Sequence, residues 1–121
     1  MKVPPTAIHV FVLLGFALLS SHAAPAAPSP ERQRELVHLV RQDCGSCHGL
    51  LFRGGLGPAL TPEALAERPR EGLVATIVGG RPGTPMPPFR GMVSESEAEW
   101  IVDRLLEGFP PDRGLPAASS R

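Results

Sequence analysis

Apolar residues fall into five separated groups along the chain, each framed by polar or turn-forming residues. The first, Ile8–Leu19, is a run of 12 residues interrupted only by His9. A bilayer span needs roughly 20 apolar residues, so this run is too short to cross one. Lys2 precedes it, and the small residues Ser21 and Ala23 follow it at cleavage-site spacing. That pattern predicts a Sec-type signal peptide over residues 1–23, cut after Ala23, with no stable membrane insertion afterwards. A flexible Ala/Pro leader is expected at 24–30 and a disordered tail at 110–121. The folded body is then 31–109.

Within the body the remaining groups have helical spacing. Ser29-Pro30-Glu31 opens a helix: Ser caps, Pro suits the first position and Glu complements the dipole. Leu36, Val37, Leu39 and Val40 form its apolar stripe, which ends near Cys44. Thr61-Pro62-Glu63 caps a short helix through Ala66. Arg70–Val78 carries Leu73, Val74 and Ile77 on one side and stops at Gly79-Gly80. Ser94–Glu97 has the capping-box pattern and starts a last helix with Trp100, Ile101, Leu105 and Leu106 as its apolar face. No segment alternates as a strand does. The expected class is all-α, with three to five short helices joined by long loops.

Composition sharpens this picture. Fifteen prolines and thirteen glycines in 121 residues make a loop-rich chain that struggles to build its own core. Such chains usually carry a staple, and two cysteines allow at most one internal disulfide, so a cofactor is expected. A formal net charge of zero argues against a nucleic-acid partner.

Cys44-Gly45-Ser46-Cys47-His48 is a C-x-x-C-H motif, the attachment signature of c-type haem. Two thiols three positions apart on one turn can each form a thioether with a porphyrin vinyl group. The adjacent His48 then supplies the proximal nitrogen. Two alternatives compete. A Cys44–Cys47 redox disulfide would be expected beside a βαβ pattern, and no strand is predicted. A zinc site of Cys44, Cys47, His48 and His38 would need adjacent side chains to chelate one ion.

Candidates for a second axial ligand are Met86, Met92 and His38. Met86 lies in Thr84-Pro85-Met86-Pro87-Pro88-Phe89, where flanking prolines hold the backbone extended and reduce the entropy lost on ligation. Met92 reads as a core filler and His38 as a boundary residue. Gly57-Pro58 could supply a loop carbonyl to the second ring nitrogen of His48. Arg53, Arg81 and Arg90 are candidate propionate or docking partners.

With C-x-x-C-H, Gly-Pro, Met-Pro and a terminal helix in this order, the chain resembles the class I cytochromes c over about Glu31–Phe109. The resemblance implies that fold, wrapped around one haem c bound through Cys44 and Cys47. It implies His48 and Met86 as iron ligands and the Pro58 carbonyl as partner of His48. It also pairs the first and last helices through Leu36, Val37, Val40, Trp100, Ile101 and Leu105. The runs GLGPALTPEAL, LVATIVGGRPGTPMPPF and SESEAEWIV are similar to the small cytochromes c55X. That likeness implies a periplasmic electron carrier rather than an enzyme, matured by the cytochrome c machinery and donating to cytochrome cd1 nitrite reductase in denitrification. Its alternative is an accessory role in maturing the haem d1 of that reductase.

Overall fold

The computed structural model describes residues 26–112. The expected signal peptide, its cleavage site and residues 113–121 of the expected tail lie outside them. Five α-helices account for the regular structure: α1 (Pro30–Leu39), α2 (Gly45–His48), α3 (Pro62–Leu65), α4 (Arg70–Gly79) and α5 (Glu95–Glu107). No strand occurs among the described residues.

The helix starts follow local chemistry. Ser29 Oγ accepts the backbone N–H of Arg32 at 3.2 Å, and Thr61 Oγ1 accepts that of Ala64 at 3.4 Å. At α5 the capping box is complete: Ser94 Oγ accepts from Glu97 N at 3.2 Å, and Glu97 Oε2 accepts from Ser94 N at 2.8 Å.

Between α1 and α2 the chain departs from expectation. Val40–Cys44 winds as a π-helical turn, in which the Gly45 N–H reaches back to the Val40 carbonyl. The widened turn takes up one extra residue, about 100° of helical rotation. It keeps Leu36 and Val40 fully buried while re-aiming the segment that begins at Cys44.

The core joins Leu36 and Val40 to Phe52, Leu65, Val74, Val93, Ala98, Ile101, Val102 and Leu105. Ala98 and Val102 of α5 are more deeply buried than the expected Trp100 and Leu106, which pack at the edge. Met92 is no core filler. It is 48% exposed, because it sits on the turn before Ser94 with its N–H bonded to Phe89 O at 2.8 Å. Residues 110–112, read as the start of the tail, contact the first helical segment through Pro110 O to Arg41 and Asp112 to His38.

Two arginines fasten the helices. Arg70 of α4 grips Asp103 of α5 with Nε and Nη2 at 2.7 and 3.0 Å. Arg32 of α1 donates through Nε to Glu97 of α5 at 2.6 Å and through Nη2 to Met92 O at 3.0 Å. Glu97 therefore serves the cap and the helix crossing together. The Arg32 hydrogen bond is the largest of the influences that hold its carboxyl below the ordinary value of 4.5. A group that titrates lower when folded contributes fully above the unfolded value, and the contribution is lost as pH falls through the folded one. Chemical denaturation across pH 3 to 7 should therefore show wild type losing its margin over Glu97→Gln as the solution is acidified below about 4.5. Gln preserves the cap, so a margin that does not change with pH would assign the effect to packing.

Candidate functional site

The π turn delivers Cys44, and α2 carries Cys47 and His48 one turn further on. Ser46 Oγ donates to Asp43 O at 2.7 Å, which fastens the turn from outside. No disulfide joins the two sulfurs. Burial first, and the charge of Asp43 second, push the Cys44 thiol up to about 11. A thiol held neutral in this way is a poor redox nucleophile. His38, the fourth donor of the zinc alternative, is turned to Asp112, with Nδ1 2.9 Å from the carboxylate. Among the described residues no three His, Cys, Asp or Glu side chains converge as a metal ion requires.

Residues 49–60 fold back beneath His48. Gly54 N donates to His48 O at 2.9 Å, and Gly57 N donates to Cys47 O at 2.8 Å. Phe52 closes the base of this loop: its N–H donates to Gly49 O, and its carbonyl accepts from Leu60 N, each at 2.8 Å. Phe52 is the one non-glycine residue with positive φ among those described, at 56°. That conformation costs on the order of 1–3 kcal/mol and persists only where the surroundings enforce it. Here the ring is buried and meets Phe109 edge to face, with centroids 5.5 Å apart.

The loop brings the Pro58 carbonyl to 2.6 Å from His48 Nδ1. A carbonyl only accepts, so Nδ1 carries a proton, and in the neutral ring Nε2 is the nitrogen with the lone pair. His48 is buried, and no protein group among the described residues hydrogen-bonds its Nε2. Gly57 makes the approach possible, since a Cβ there would lie 2.7 Å from His48 Cε1 and 2.8 Å from Nδ1. Cys44, Cys47, His48 and Pro58 thus form one cluster.

Met86 lies on a separate loop, half-buried. That loop is pinned to the end of α4, where Phe89 N donates to Ile77 O at 3.0 Å and Arg81 N to Met86 O at 3.1 Å. At Gly80, with φ of 67°, a Cβ would lie 2.7 Å from Pro87 C and Pro88 N and 2.8 Å from Met86 O. Residues 86–88 therefore rest directly on bare backbone. Of the other candidate ligands, Met92 is half-exposed and His38 is engaged with Asp112. Arg53, Arg81 and Arg90 are all exposed.

The site fits a large apolar group. One nitrogen of a buried imidazole is tied down and the other is unspent, with two thiols on the same turn. Leu50, Leu51 and Leu56 beside that turn are 70, 71 and 94% exposed, an apolar surface that the polypeptide does not cover.

Comparison with known proteins agrees. Residues 31–103 match the family model described as cytochrome C oxidase, cbb3-type, subunit III. Cytochrome c55X of Pseudomonas aeruginosa is 57% identical over 102 residues, covering 84% of this chain and 86% of the relative. Cytochrome c55X of Stutzerimonas stutzeri is 55% identical over 106 residues, covering 84% and 94%. The solved c-type cytochrome NirC superposes with a TM-score of 0.65 at 64% identity, covering 66% of this chain and 94% of that one.

The chain belongs to the cytochrome c family. This cytochrome has the class I fold, and its cofactor is one haem c attached through Cys44 and Cys47. A more distant likeness, 34% identity over 97 residues, joins it to the dihydro-heme d1 dehydrogenase of P. aeruginosa. It covers 80% of this chain but only 19% of that protein.

Reading the sequence alone missed Phe52 and Arg41. Arg41 stands three residues before Cys44, a position worth inspecting. Nothing at position 52 announces a left-handed phenylalanine. The Gly57 contact gives a direct prediction. Gly57→Ala should force His48 and Pro58 apart, cost about 1–3 kcal/mol in denaturant unfolding and reduce the haem-stained fraction of purified protein. Unchanged stability and haem content would show that the loop yields freely.

Proposed function

We propose that this cytochrome is a periplasmic one-electron carrier ligated by His48 and Met86, which passes electrons to cytochrome cd1 nitrite reductase. The observation that carries the ligation is the asymmetry of His48: Nδ1 donates to Pro58 O at 2.6 Å, and Nε2 keeps a free lone pair. The likeness to cytochromes c55X supports the denitrification setting. Residues 1–23 serve as the export signal, and the cytochrome c maturation machinery attaches the cofactor outside the cytoplasm.

When bound, the haem supplies the ferrous–ferric couple. The rest is the work of the polypeptide. Pro58 holds the proton on Nδ1 and, by accepting from it, makes His48 a more basic ligand. The Met86 thioether is a soft, neutral donor that favours the reduced state and raises the potential. Its loop rests on Gly80 and on carbonyls of α4, so little freedom is left to lose on ligation. With His48 and Met86 both holding the iron, no open position would remain for a substrate, which suits a carrier rather than an enzyme.

The distant likeness to the dihydro-heme d1 dehydrogenase supports a second reading, in which the protein assists maturation of haem d1. A solved structure titled dihydro-heme d1 dehydrogenase NirN in complex with DHE aligns with a TM-score of 0.55 at 36% identity. It covers 61% of this chain and 16% of that one. A carrier should reduce purified nitrite reductase in stopped flow with saturating, repeatable turnover. A maturation partner should instead form an isolable complex with the immature reductase and leave its haem d1 content low when deleted.

Two outcomes test the carrier directly. Met86→Ala should shift the ferric/ferrous equilibrium at least tenfold toward ferric, about 59 mV for a one-electron couple, and admit carbon monoxide to the ferrous form. An unchanged potential would remove Met86 from the ligand set. Once Lys2 leaves with the signal, 11 Arg face 12 Asp and Glu, close to neutral, so raising salt from 20 to 300 mM should change the rate of reductase reduction by less than about threefold. A collapse in rate would reveal a docking field that the overall charge conceals.

A further inference from the structure

Arg41 projects from the π turn, and its guanidinium is fully engaged. Nη1 donates to Leu50 O at 2.9 Å. Nε and Nη2 donate to Pro110 O at 3.1 and 2.7 Å, and Nη2 also donates to Phe109 O at 2.8 Å. Its carbon centre lies 4.7 Å from the Phe52 ring centroid and 5.6 Å from that of Phe109. One planar fork therefore joins the turn before Cys44, the chain just after His48 and the segment that follows α5. A lysine, with a single ammonium and no flat face, reproduces neither the set of hydrogen bonds nor the stacking.

These anchors bear on the proximal loop. Leu50 follows His48 by two positions. Phe52 pins the base of the loop through Gly49 O and Leu60 N, and the same loop carries Pro58 to His48. The left-handed backbone at Phe52 needs enforcement, and the Arg41 and Phe109 faces on its ring supply it.

We propose that Arg41, gripping Phe109 and Pro110, is a positioning residue for the proximal ligand, acting through Leu50 and Phe52 to hold the Pro58 carbonyl on His48 Nδ1. The inference rests on the proposed ligation by His48. Loosening the clasp weakens the hydrogen bond, makes His48 less basic and favours the reduced state.

The test uses holoprotein matured in cells, with three variants: Arg41→Lys, a chain ended at Gly108, and the two combined. Arg70→Lys serves as control, since it disturbs the Asp103 contact far from this loop. The measurements are the reduction potential, the haem-methyl shifts in the ferric proton NMR spectrum and thermal stability. Arg41→Lys and the shortened chain should each move the ferric/ferrous equilibrium about threefold toward ferrous, ~28 mV at 59 mV per decade. Each should also move the methyl shifts. The combination should shift both by less than the sum of the two, because the variants share the Arg41 contacts to Phe109 and Pro110, and Arg70→Lys should lose stability at an unchanged potential.

Loss of stability without movement of potential or methyl shifts would overturn the proposal and leave Arg41 merely structural. Additive shifts in the combined variant would overturn it too. If Arg41→Lys yields no holoprotein, the shortened chain decides alone. Failure of the proposed function shows differently: the wild-type holoprotein would then lack a histidine–methionine spectrum, whatever the variants do.

Discussion

The hydrogen bond from His48 Nδ1 to the Pro58 carbonyl, 2.6 Å long, is the contact around which the rest of the structure is arranged. It settles the tautomer, and so which nitrogen keeps a lone pair. It requires a carbonyl ten residues downstream to return beneath the ring. That return is affordable only because Gly57 has no side chain and because the loop donates back to the carbonyls of Cys47 and His48. The left-handed Phe52, the rung to Leu60 and the widened turn before Cys44 all belong to the same solution. The left-handed backbone and the widened turn are locally unfavourable, and each is explained by the ring it helps to place.

The helices supply a frame and little chemistry. Leu36 and Val40 meet Ala98, Ile101 and Val102 in one core, and Arg32 and Arg70 fasten α1 and α4 to α5. From that frame two irregular segments are hung, one bearing Pro58 and the other Met86. Each is closed at its base by backbone hydrogen bonds, so irregular chain becomes defined geometry without a strand.

What the sequence made legible was local. Ser29, Thr61 and the Ser94–Glu97 box announce helix starts because capping involves residues at most three apart. The C-x-x-C-H turn is legible for the same reason. The π turn was not, because an apolar stripe reports a face and not whether one extra residue is held within it. Met92 was misread for a related cause: an apolar residue before a helix looks like core unless the turn that exposes it is known. Gly57-Pro58 is a candidate from the residues, and the family resemblance is what assigns its proline carbonyl to His48, because the residues alone do not rank it above another loop carbonyl. Arg41 lies 68 and 69 residues from the Phe109 and Pro110 carbonyls it grips, a separation at which one sequence carries no signal.

The same distances explain why a chain so rich in glycine and proline can hold a site at all. Loop segments lose much entropy on ordering, and the apolar area buried by five short helices is modest. Leu50, Leu51 and Leu56 stand exposed beside the attachment turn, so the described residues leave apolar surface uncovered there. Covalent attachment through Cys44 and Cys47 would hold a large flat apolar group beside that turn regardless of equilibrium affinity. The protein core is in this sense completed by its cofactor, and the loops can be shaped for ligand geometry because they do not have to stabilise the fold by themselves.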